Sequence, residues 1–245
     1  AGQGSRTRSL EYTARNELWR ETHPESGRAT YTYDLAGNLE TKTDAKGTTA
    51  HYHHDANRRL TCIDQPPYSA TPCATLSADD TAFGFDRADN RTYLANSTVT
   101  STFTYDGANR LTARSDTMAG PNGARAFTLG YAYDSLDNLQ TLSYPAQSGL
   151  VLRYTYDNAN RITDVRKNGA ATAWASGFSY HPSGNPESFT QGGGASSTVQ
   201  TYGPRHWLDI SRVGTGSDPR KVLSLDYGYD AAGNGTSITD DTTGR

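Results

Sequence analysis

The stretch Tyr31-Thr32-Tyr33-Asp34-Leu35-Ala36-Gly37-Asn38-Leu39 decides the fold, because its pattern recurs along the chain. The pattern is an aromatic residue, any residue, a second aromatic residue, Asp, two residues, Gly, a polar residue and Leu. Close copies begin at Phe103, Tyr131, Tyr154 and Tyr227. Repetition of this kind indicates a fold built from one supersecondary unit used many times.

One copy of the pattern predicts one β-hairpin. Tyr31 and Tyr33 are two residues apart, so a strand places both rings on one face and Thr32 on the other. Asp34 opens a four-residue turn, because its carboxylate can accept a hydrogen bond from a backbone N–H two residues on. The fourth turn position carries residues that tolerate a positive φ, namely Gly37, Asn109, Asp137, Asn160 and Gly233.

Divergent copies fill the remaining parts of the chain. They begin at Leu10, Tyr52, Phe83, Phe178 and Tyr202. Thr13 and His181 stand where other copies have the turn Asp, while Asn16 and Arg58 occupy the positive-φ position. In the copy at Tyr202 we expect the strand to begin at Pro204 or to lie at a sheet edge, because proline cannot donate a ladder hydrogen bond.

The repeat pattern predicts an all-β fold of about twenty short strands, in which tandem hairpins form one continuous, twisted antiparallel sheet strip. We expect residues 1–245 to be a single domain of about ten repeats that makes an arc or a short spiral, part of a β-shell. Its edge strands would be available for self-association. The chain lacks an initiator Met and a signal segment, and it stops within a would-be turn, so we expect a piece of a longer or processed chain.

The composition argues against several classes of protein. A hydrophobic fraction of 34% with a single Met is low for a helical globule, but it suits a thin sheet held by aromatic pairs and backbone ladders. The net charge of −3 is spread without blocks, so nucleic-acid binding is not indicated. No run approaches the ~18 apolar residues of a membrane span.

The recurring carboxylates are the most regular polar feature of the sequence. They are Asp34, Asp55, Asp86, Asp106, Asp134, Asp157 and Asp230. They could be interpreted as acid–base groups or calcium ligands, but one shared turn position favours a structural role in capping each turn.

Two cysteines bracket an insertion in the repeat. Cys62 and Cys73 flank the ten residues by which the next copy is delayed, which predicts a disulfide at the base of an extra loop. The alternative is a pair of reduced thiols that never meet. A disulfide would favour an oxidising compartment, whereas two cysteines alone make a poor zinc site.

Few other residues suggest chemistry. His51 and His53 share one strand face and are candidate metal ligands, although they could equally pack or face water. Trp19, Trp174 and Trp207 fall outside the paired aromatic positions and are the better candidates for contact with a ligand. The sequence contains no nucleophile elbow, phosphate-binding Gly-rich loop or His-Glu-x-x-His motif, so we expect no cofactor and no catalysis.

The recurring Tyr-x-Tyr-Asp-x-x-Gly-x-Leu pattern resembles the YD repeat of the Rhs and teneurin families, which the B and C components of bacterial Tc toxins share. The resemblance covers nearly the whole chain. It implies a β-sheet strip that spirals into a hollow shell, which in bacterial members often encloses a toxin domain. Toxin-bearing relatives close their repeats with a self-cleaving Asp-Pro motif. Asp218-Pro219 lies between repeats and lacks the following Gly-Leu, so self-cleavage is not carried over.

The resemblance therefore implies a non-catalytic scaffold or shell segment of a secreted or cell-surface protein, and we expect that protein to be bacterial. Its partners would be neighbouring repeats or domains of the parent chain, and an enclosed toxin domain. The alternative is an adhesion module whose surface binds carbohydrate or a receptor. An enzyme would require His and Asp clustered in a pocket.

Overall fold

The computed structural model of the protein describes residues 7–68, 70–121, 123–144, 149–168, 170–216 and 218–243. Within these ranges every helix or strand assigned is a β-strand, so the predicted all-β fold is confirmed. The twenty strands are antiparallel and belong to one sheet. The chain clusters into two compact units, Ala1–Thr128 and Leu129–Arg245.

In the first unit each strand from β1 to β9 pairs with the next strand in the sequence. These strands are β1 (Ser9–Tyr12), β2 (Leu18–His23), β3 (Gly27–Tyr33), β4 (Leu39–Thr43), β5 (Thr49–His54), β6 (Leu60–Asp64), β7 (Thr81–Phe85), β8 (Arg91–Ala95), β9 (Val99–Tyr105) and β10 (Leu111–Met118).

The second unit repeats this arrangement. Its first strand, β11 (Arg125–Tyr133), begins in the first unit. The others are β12 (Leu139–Tyr144), β13 (Leu150–Tyr156), β14 (Ile162–Lys167), β15 (Ala175–Tyr180), β16 (Pro186–Gln191), β17 (Ser196–Tyr202), β18 (Leu208–Thr215), β19 (Asp218–Tyr229) and β20 (Gly235–Asp240). From β11 to β19 each strand again pairs with its successor.

The connections that follow the paired aromatic residues share one geometry, which we call the YD turn: five residues starting at the Asp position. In the turn at Asp34, the Gly37 N–H donates to the Asp34 carbonyl at 3.1 Å, and the Asp34 N–H donates to the Asn38 carbonyl at 2.9 Å. The same pair of bonds closes the turns that begin at Thr13, Asp55, Asp86, Asp106, Asp134, Asp157, His181, Gly203 and Asp230.

The fourth residue of every YD turn is left-handed. The φ angle is 82° at Gly37 and 63° at both Asn16 and Arg58, so the predicted positive-φ positions are confirmed. A β-bulge follows each turn: Tyr33 faces Leu39, whereas Thr32 faces Thr41, which leaves one extra residue in β4. Such a bulge increases the local twist of the hairpin.

The two faces of the sheet differ in chemistry. The aromatic face carries paired rings such as Tyr31 and Tyr33, and the threonine face carries the residues between them. There Thr32 forms a 2.7 Å hydrogen bond with Thr41 across the hairpin. Equivalent hydroxyl pairs are Thr104–Thr112, Thr155–Thr163 and Ser179–Ser188. The buried apolar residues are mostly small: Ala50, Cys62, Ala95, Leu152 and Ala173. Backbone ladder bonds and cross-strand side-chain bonds therefore contribute more to the stability of the sheet than a thick apolar core does.

The expectation for Pro204 was wrong. Strand β17 ends at Tyr202, and Pro204 is the second residue of the following YD turn rather than part of a strand. Proline suits this position because its φ is already fixed near −65° and the turn does not use an N–H there.

Candidate functional site

The turn carboxylates are saturated with hydrogen bonds. Asp34 Oδ1 accepts the backbone N–H groups of Ala36 at 2.9 Å and Asn38 at 2.8 Å, while Oδ2 accepts the Asn38 side-chain amide at 2.8 Å. Asp157 makes the same two backbone bonds, and its Oδ2 accepts Nε of Arg161 at 2.8 Å. A carboxylate that accepts three hydrogen bonds within its own turn stabilises the turn and has a structural role.

All seven predicted turn aspartates occupy this position. Each accepts the N–H groups two and four residues on: Asp34, Asp55, Asp86, Asp106, Asp134, Asp157 and Asp230. The bond from the Asn38 side chain is the main cause that lowers the pKa of Asp34, and the bond from Arg161 does the same to the pKa of Asp157. These groups stay ionised and are poorly suited to acid–base catalysis.

Three copies of the turn lack the carboxylate. Thr13 substitutes through its hydroxyl, which accepts the N–H groups of Arg15 and Glu17, both at 3.2 Å. His181 Nδ1 accepts the Ser183 N–H at 3.2 Å and lies 2.7 Å from the Ser183 hydroxyl. Gly203 offers no side chain at all. The backbone geometry of the turn therefore persists while the strength of its cap varies.

In six of the hairpins a tyrosine hydroxyl makes a connection to the preceding hairpin. In the second aromatic position, Tyr33 donates to the Leu18 carbonyl at 2.9 Å, and Leu18 directly follows the preceding YD turn. The same relationship joins Tyr105 to Arg91, Tyr156 to Leu139, Tyr180 to Ile162, Tyr202 to Pro186 and Tyr229 to Leu208. Sequence reasoning missed this bond, because it treated the rings only as packing groups.

Arginine at the fifth turn position makes a second connection between hairpins. The Arg161 guanidinium bonds to its own turn Asp157 and also lies over the ring of Tyr180 in the next hairpin, 4.6 Å from the centroid. Arg59 does the same with Asp55 and Phe85, at 4.9 Å. A cation over an aromatic face is attracted by the ring quadrupole, so this residue ties two turns together.

The candidate metal ligands His51 and His53 lie side by side on the threonine face, with ring centroids 6.4 Å apart. The edge of Tyr68 packs against His51 at 4.8 Å. In the part of the chain that the structure describes, no group of three or more His, Cys, Asp or Glu side chains is arranged to hold a metal ion.

The predicted disulfide is present. Cys62 in β6 is bonded to Cys73 in the loop between β6 and β7, with 6.0 Å between their Cα atoms. The same loop is fixed by Asp80, a buried carboxylate that accepts the N–H groups of Gln65 at 2.7 Å and Ser77 at 2.6 Å. The loop is thus anchored to the sheet by a covalent bond and a polar cap.

The three tryptophans have different surroundings. Trp19 in β2 and Trp174 are exposed. Trp207 is half-buried: it packs against Tyr229, with ring centroids 5.2 Å apart, and beneath Arg205. With Asp209 it lines an open cavity of about 410 Å³. This cavity combines an aromatic wall with charged groups of both signs.

Residues 12–49 and 33–63, which include the turns at Thr13, Asp34 and Asp55, match the family model of the RHS repeat. Residues 12–63 contain RHS repeats. The resemblance indicated by the YD pattern is therefore confirmed. No curated protein matches this chain in sequence.

Solved structures share the fold. The crystal structure of TcdB2-TccC3 matches with a TM-score of 0.76 and 15% identity, over 97% of this chain and 13% of that one. The Tc holotoxin pore of Photorhabdus luminescens with a TccC3 mutation matches with a TM-score of 0.75 and 15% identity, over 97% of this chain and 12% of that one. TcdB2-TccC3 without its hypervariable C-terminal region matches with a TM-score of 0.74 and 15% identity, over 96% of this chain and 12% of that one. The present chain thus spans 12–13% of the length of these chains.

Among the described residues, the chain forms no helix with the length and apolar character needed to cross a bilayer.

Proposed function

We propose that residues 1–245 form one RHS-repeat domain that serves as a non-catalytic structural segment of a shell. The supporting observation is the network that recurs from hairpin to hairpin: a carboxylate that caps the turn, and a tyrosine hydroxyl that bonds to the preceding hairpin, as in Tyr156 and Leu139. Such a network uses the polar side chains for architecture and leaves few of them for chemistry.

The parent protein would enclose or display another domain, such as a toxin, and would be secreted or exposed on a bacterial surface. The likeness to TcdB2-TccC3 supports this proposal, since the same fold occurs in a toxin complex. The Cys62–Cys73 disulfide also favours an oxidising compartment. The partners of the segment would be neighbouring repeats and the enclosed domain, and free strand edges could pair with another sheet.

Limited proteolysis of the natural protein that contains this segment tests enclosure. We expect the enclosed domain to resist protease in the native protein and to be cut once the repeats are unfolded by denaturant. Equal cleavage with and without denaturant would contradict enclosure. A surface-exposed loop of the repeats, cut under both conditions, serves as the control for protease activity.

The cavity at Trp207 supports a second candidate function, an adhesion module that binds carbohydrate or a receptor. Aromatic side chains present rigid, amphipathic contact area, and Arg205 and Asp209 add polar groups beside the ring. A glycan array and a heparin column test this function. Micromolar binding that is lost in Trp207→Ala and kept in the exposed control Trp19→Ala would favour it over a purely structural role.

A further inference from the structure

The turn that begins at Gly203 has the backbone of a YD turn but no side chain to cap it. Its two closing bonds are present: the His206 N–H donates to the Gly203 carbonyl at 2.8 Å, and the Gly203 N–H donates to the Trp207 carbonyl at 2.9 Å. In the aspartate turns the carboxylate accepts the backbone N–H groups two and four residues on. At Gly203 these groups belong to Arg205 and Trp207, and they have no hydrogen-bond partner among the described residues. The turn therefore keeps two unused donors.

The carboxylate of Asp209 borders the space that a turn aspartate would fill. A Cβ atom at Gly203 would lie 3.0 Å from one of its oxygens and 3.1 Å from the other. Asp209 is half-buried, and in the part of the chain that the structure describes no hydrogen bond or ion pair holds its carboxylate. The Arg205 guanidinium is engaged elsewhere, since it donates to the Ala231 carbonyl at 2.5 Å and lies 5.1 Å from the ring centroid of Trp207. We call the space between the Asp209 carboxylate and the two unused N–H groups the open cap.

The open cap lies in the cavity whose wall includes the rings of Trp207, Tyr227 and Tyr229. Its N–H groups require an acceptor, whereas the carboxylate requires a donor. A hydroxyl group is both, so one hydroxyl can satisfy the two sides at once. A carboxylate or sulfate on a ligand would accept from the N–H groups but would be repelled by Asp209, and an ammonium group has no acceptor to offer the N–H groups. The polar part of the site therefore selects a neutral hydroxyl.

We propose that the Trp207 cavity binds a neutral pyranose sugar, with one sugar hydroxyl in the open cap. That hydroxyl accepts from the N–H groups of Arg205 and Trp207 and donates to the carboxylate of Asp209, while an apolar C–H face of the sugar packs against the aromatic wall. This inference rests on the second candidate function, carbohydrate binding at Trp207. It adds to that function the class of sugar and the groups that hold it.

A second cavity of about 410 Å³ shows the same position in a capped turn. It lies between the turns at Asp34 and Asp55, and its lining includes Glu40 and His54, which correspond in the repeat to Asp209 and Tyr229. There the carboxylate of Asp34 itself accepts both backbone N–H groups. The capped turn has no free donor pair for a ligand hydroxyl, so Glu40 provides a matched control.

Titration with the methyl glycosides of glucose, galactose and mannose, followed by saturation-transfer NMR, tests the proposal. We expect at least one of these neutral sugars to bind. Its dissociation constant should rise roughly tenfold in Gly203→Ala, whose added methyl group fills the open cap, and in Asp209→Ala, which loses a charged acceptor. Glu40→Ala should leave the constant unchanged. A sulfated heparin disaccharide should bind more weakly than the neutral sugar, because its charge would meet that of Asp209.

The outcomes separate this inference from the candidate function on which it rests. Binding that is lost in Trp207→Ala but unchanged in Gly203→Ala and Asp209→Ala would overturn the open cap and leave carbohydrate binding in place. Tighter binding of the heparin disaccharide, dependent on Trp207, would do the same. Absence of binding by every probe would overturn both. Circular dichroism checks the folding of each variant. Gly203 does not have a left-handed φ, so alanine can adopt its backbone, and Asp209→Ala decides alone if Gly203→Ala is unfolded.

Discussion

The hydroxyl of Tyr156 donates a 2.8 Å hydrogen bond to the carbonyl of Leu139, the first residue after the preceding YD turn. Its strand neighbour Tyr154 has a similar half-buried ring but forms no hydrogen bond through its hydroxyl to the described residues. In this pair the second ring therefore joins consecutive hairpins, whereas the ring of Tyr154 contributes mainly packing.

We expect Tyr156→Phe to destabilise the protein by ~1 kcal/mol, because it removes the hydroxyl that satisfies the Leu139 carbonyl. Tyr154→Phe is the matched control and should change the free energy of unfolding by much less. Urea denaturation followed by circular dichroism measures both. Equal effects of the two substitutions would show that the hydroxyl bond contributes nothing beyond the ring.

The cap at Asp157 gives a second prediction. Asp157→Ala removes the acceptor for the Ala159 and Arg161 N–H groups and for the Arg161 side chain, so we expect the free energy of unfolding to fall. Asp157→Asn retains one acceptor oxygen for the backbone N–H groups and should cost less. Thermal melts of the two variants check the order, and an unchanged Tm in Asp157→Ala would refute the capping role.

The sequence alone predicted the local parts of this fold. Rings two residues apart, a turn Asp and a residue tolerant of positive φ all act within one hairpin, so Tyr31, Asp34 and Gly37 could be assigned their structural roles directly. The assignment of Pro204 was wrong because it considered only that proline is excluded from strands. Pro204 occupies the second position of a YD turn, where proline is well suited.

The contacts between hairpins were not predicted. The partner of the Tyr156 hydroxyl is 17 residues upstream, and no local pattern names a backbone carbonyl as a partner. A signal was nevertheless present: in the pairs that begin with Phe103 and Phe178, the second residue is Tyr105 and Tyr180. A hydroxyl retained in the second position alone indicates that its oxygen has a partner. The contact of the Arg161 guanidinium with the ring of Tyr180 could also not be predicted, because it depends on the register between the paired strands.

The turn caps predict loss of stability in acid. Hydrogen bonds lower the pKa values of Asp34, Asp86, Asp157 and Asp230 in the folded protein, with the side chain at the fifth turn position as the main cause. Unfolded Asp has a pKa of about 3.9. The stabilisation is therefore complete above about pH 4 and is lost as the pH falls through the lower folded-state pKa values.

Melting temperatures measured from neutral pH down to strong acid check this dependence. We expect a steady value at neutral pH and a fall that begins near pH 4. Asp157→Asn should show a smaller fall than the native protein, because one titrating cap has been removed. A Tm that is independent of pH across the acid range would contradict linkage to these carboxylates.

Reduction of the Cys62–Cys73 disulfide should destabilise the protein. The bond closes a short loop, with a sequence separation of 11, for which the chain-entropy model gives roughly 3 kcal/mol. Denaturation with and without reductant measures the difference. The double variant Cys62→Ser, Cys73→Ser should be insensitive to reductant, and two free thiols in the untreated native protein would contradict the bond.

Restoring the missing carboxylate at His181 should stabilise the protein. The His181 ring now accepts one long backbone bond, from Ser183, and the Asn185 amide donates to the Ser183 hydroxyl instead of to the cap. In the turn at Asp134, where the fifth residue is also Asn, the carboxylate accepts both backbone N–H groups and the amide of Asn138. We therefore expect His181→Asp to raise the free energy of unfolding by ~0.5–1 kcal/mol.

Another turn that lacks a carboxylate, the one that begins at Gly203, provides the control for this substitution. A Cβ atom at Gly203 would lie 3.0 Å from the carboxylate of Asp209, so Gly203→Asp would place two like charges together and crowd the turn. Gly203→Asp should therefore lower the Tm at neutral pH, while His181→Asp raises it. If both substitutions shift the Tm in the same direction, then the benefit of the carboxylate does not come from the hydrogen bonds of the YD turn.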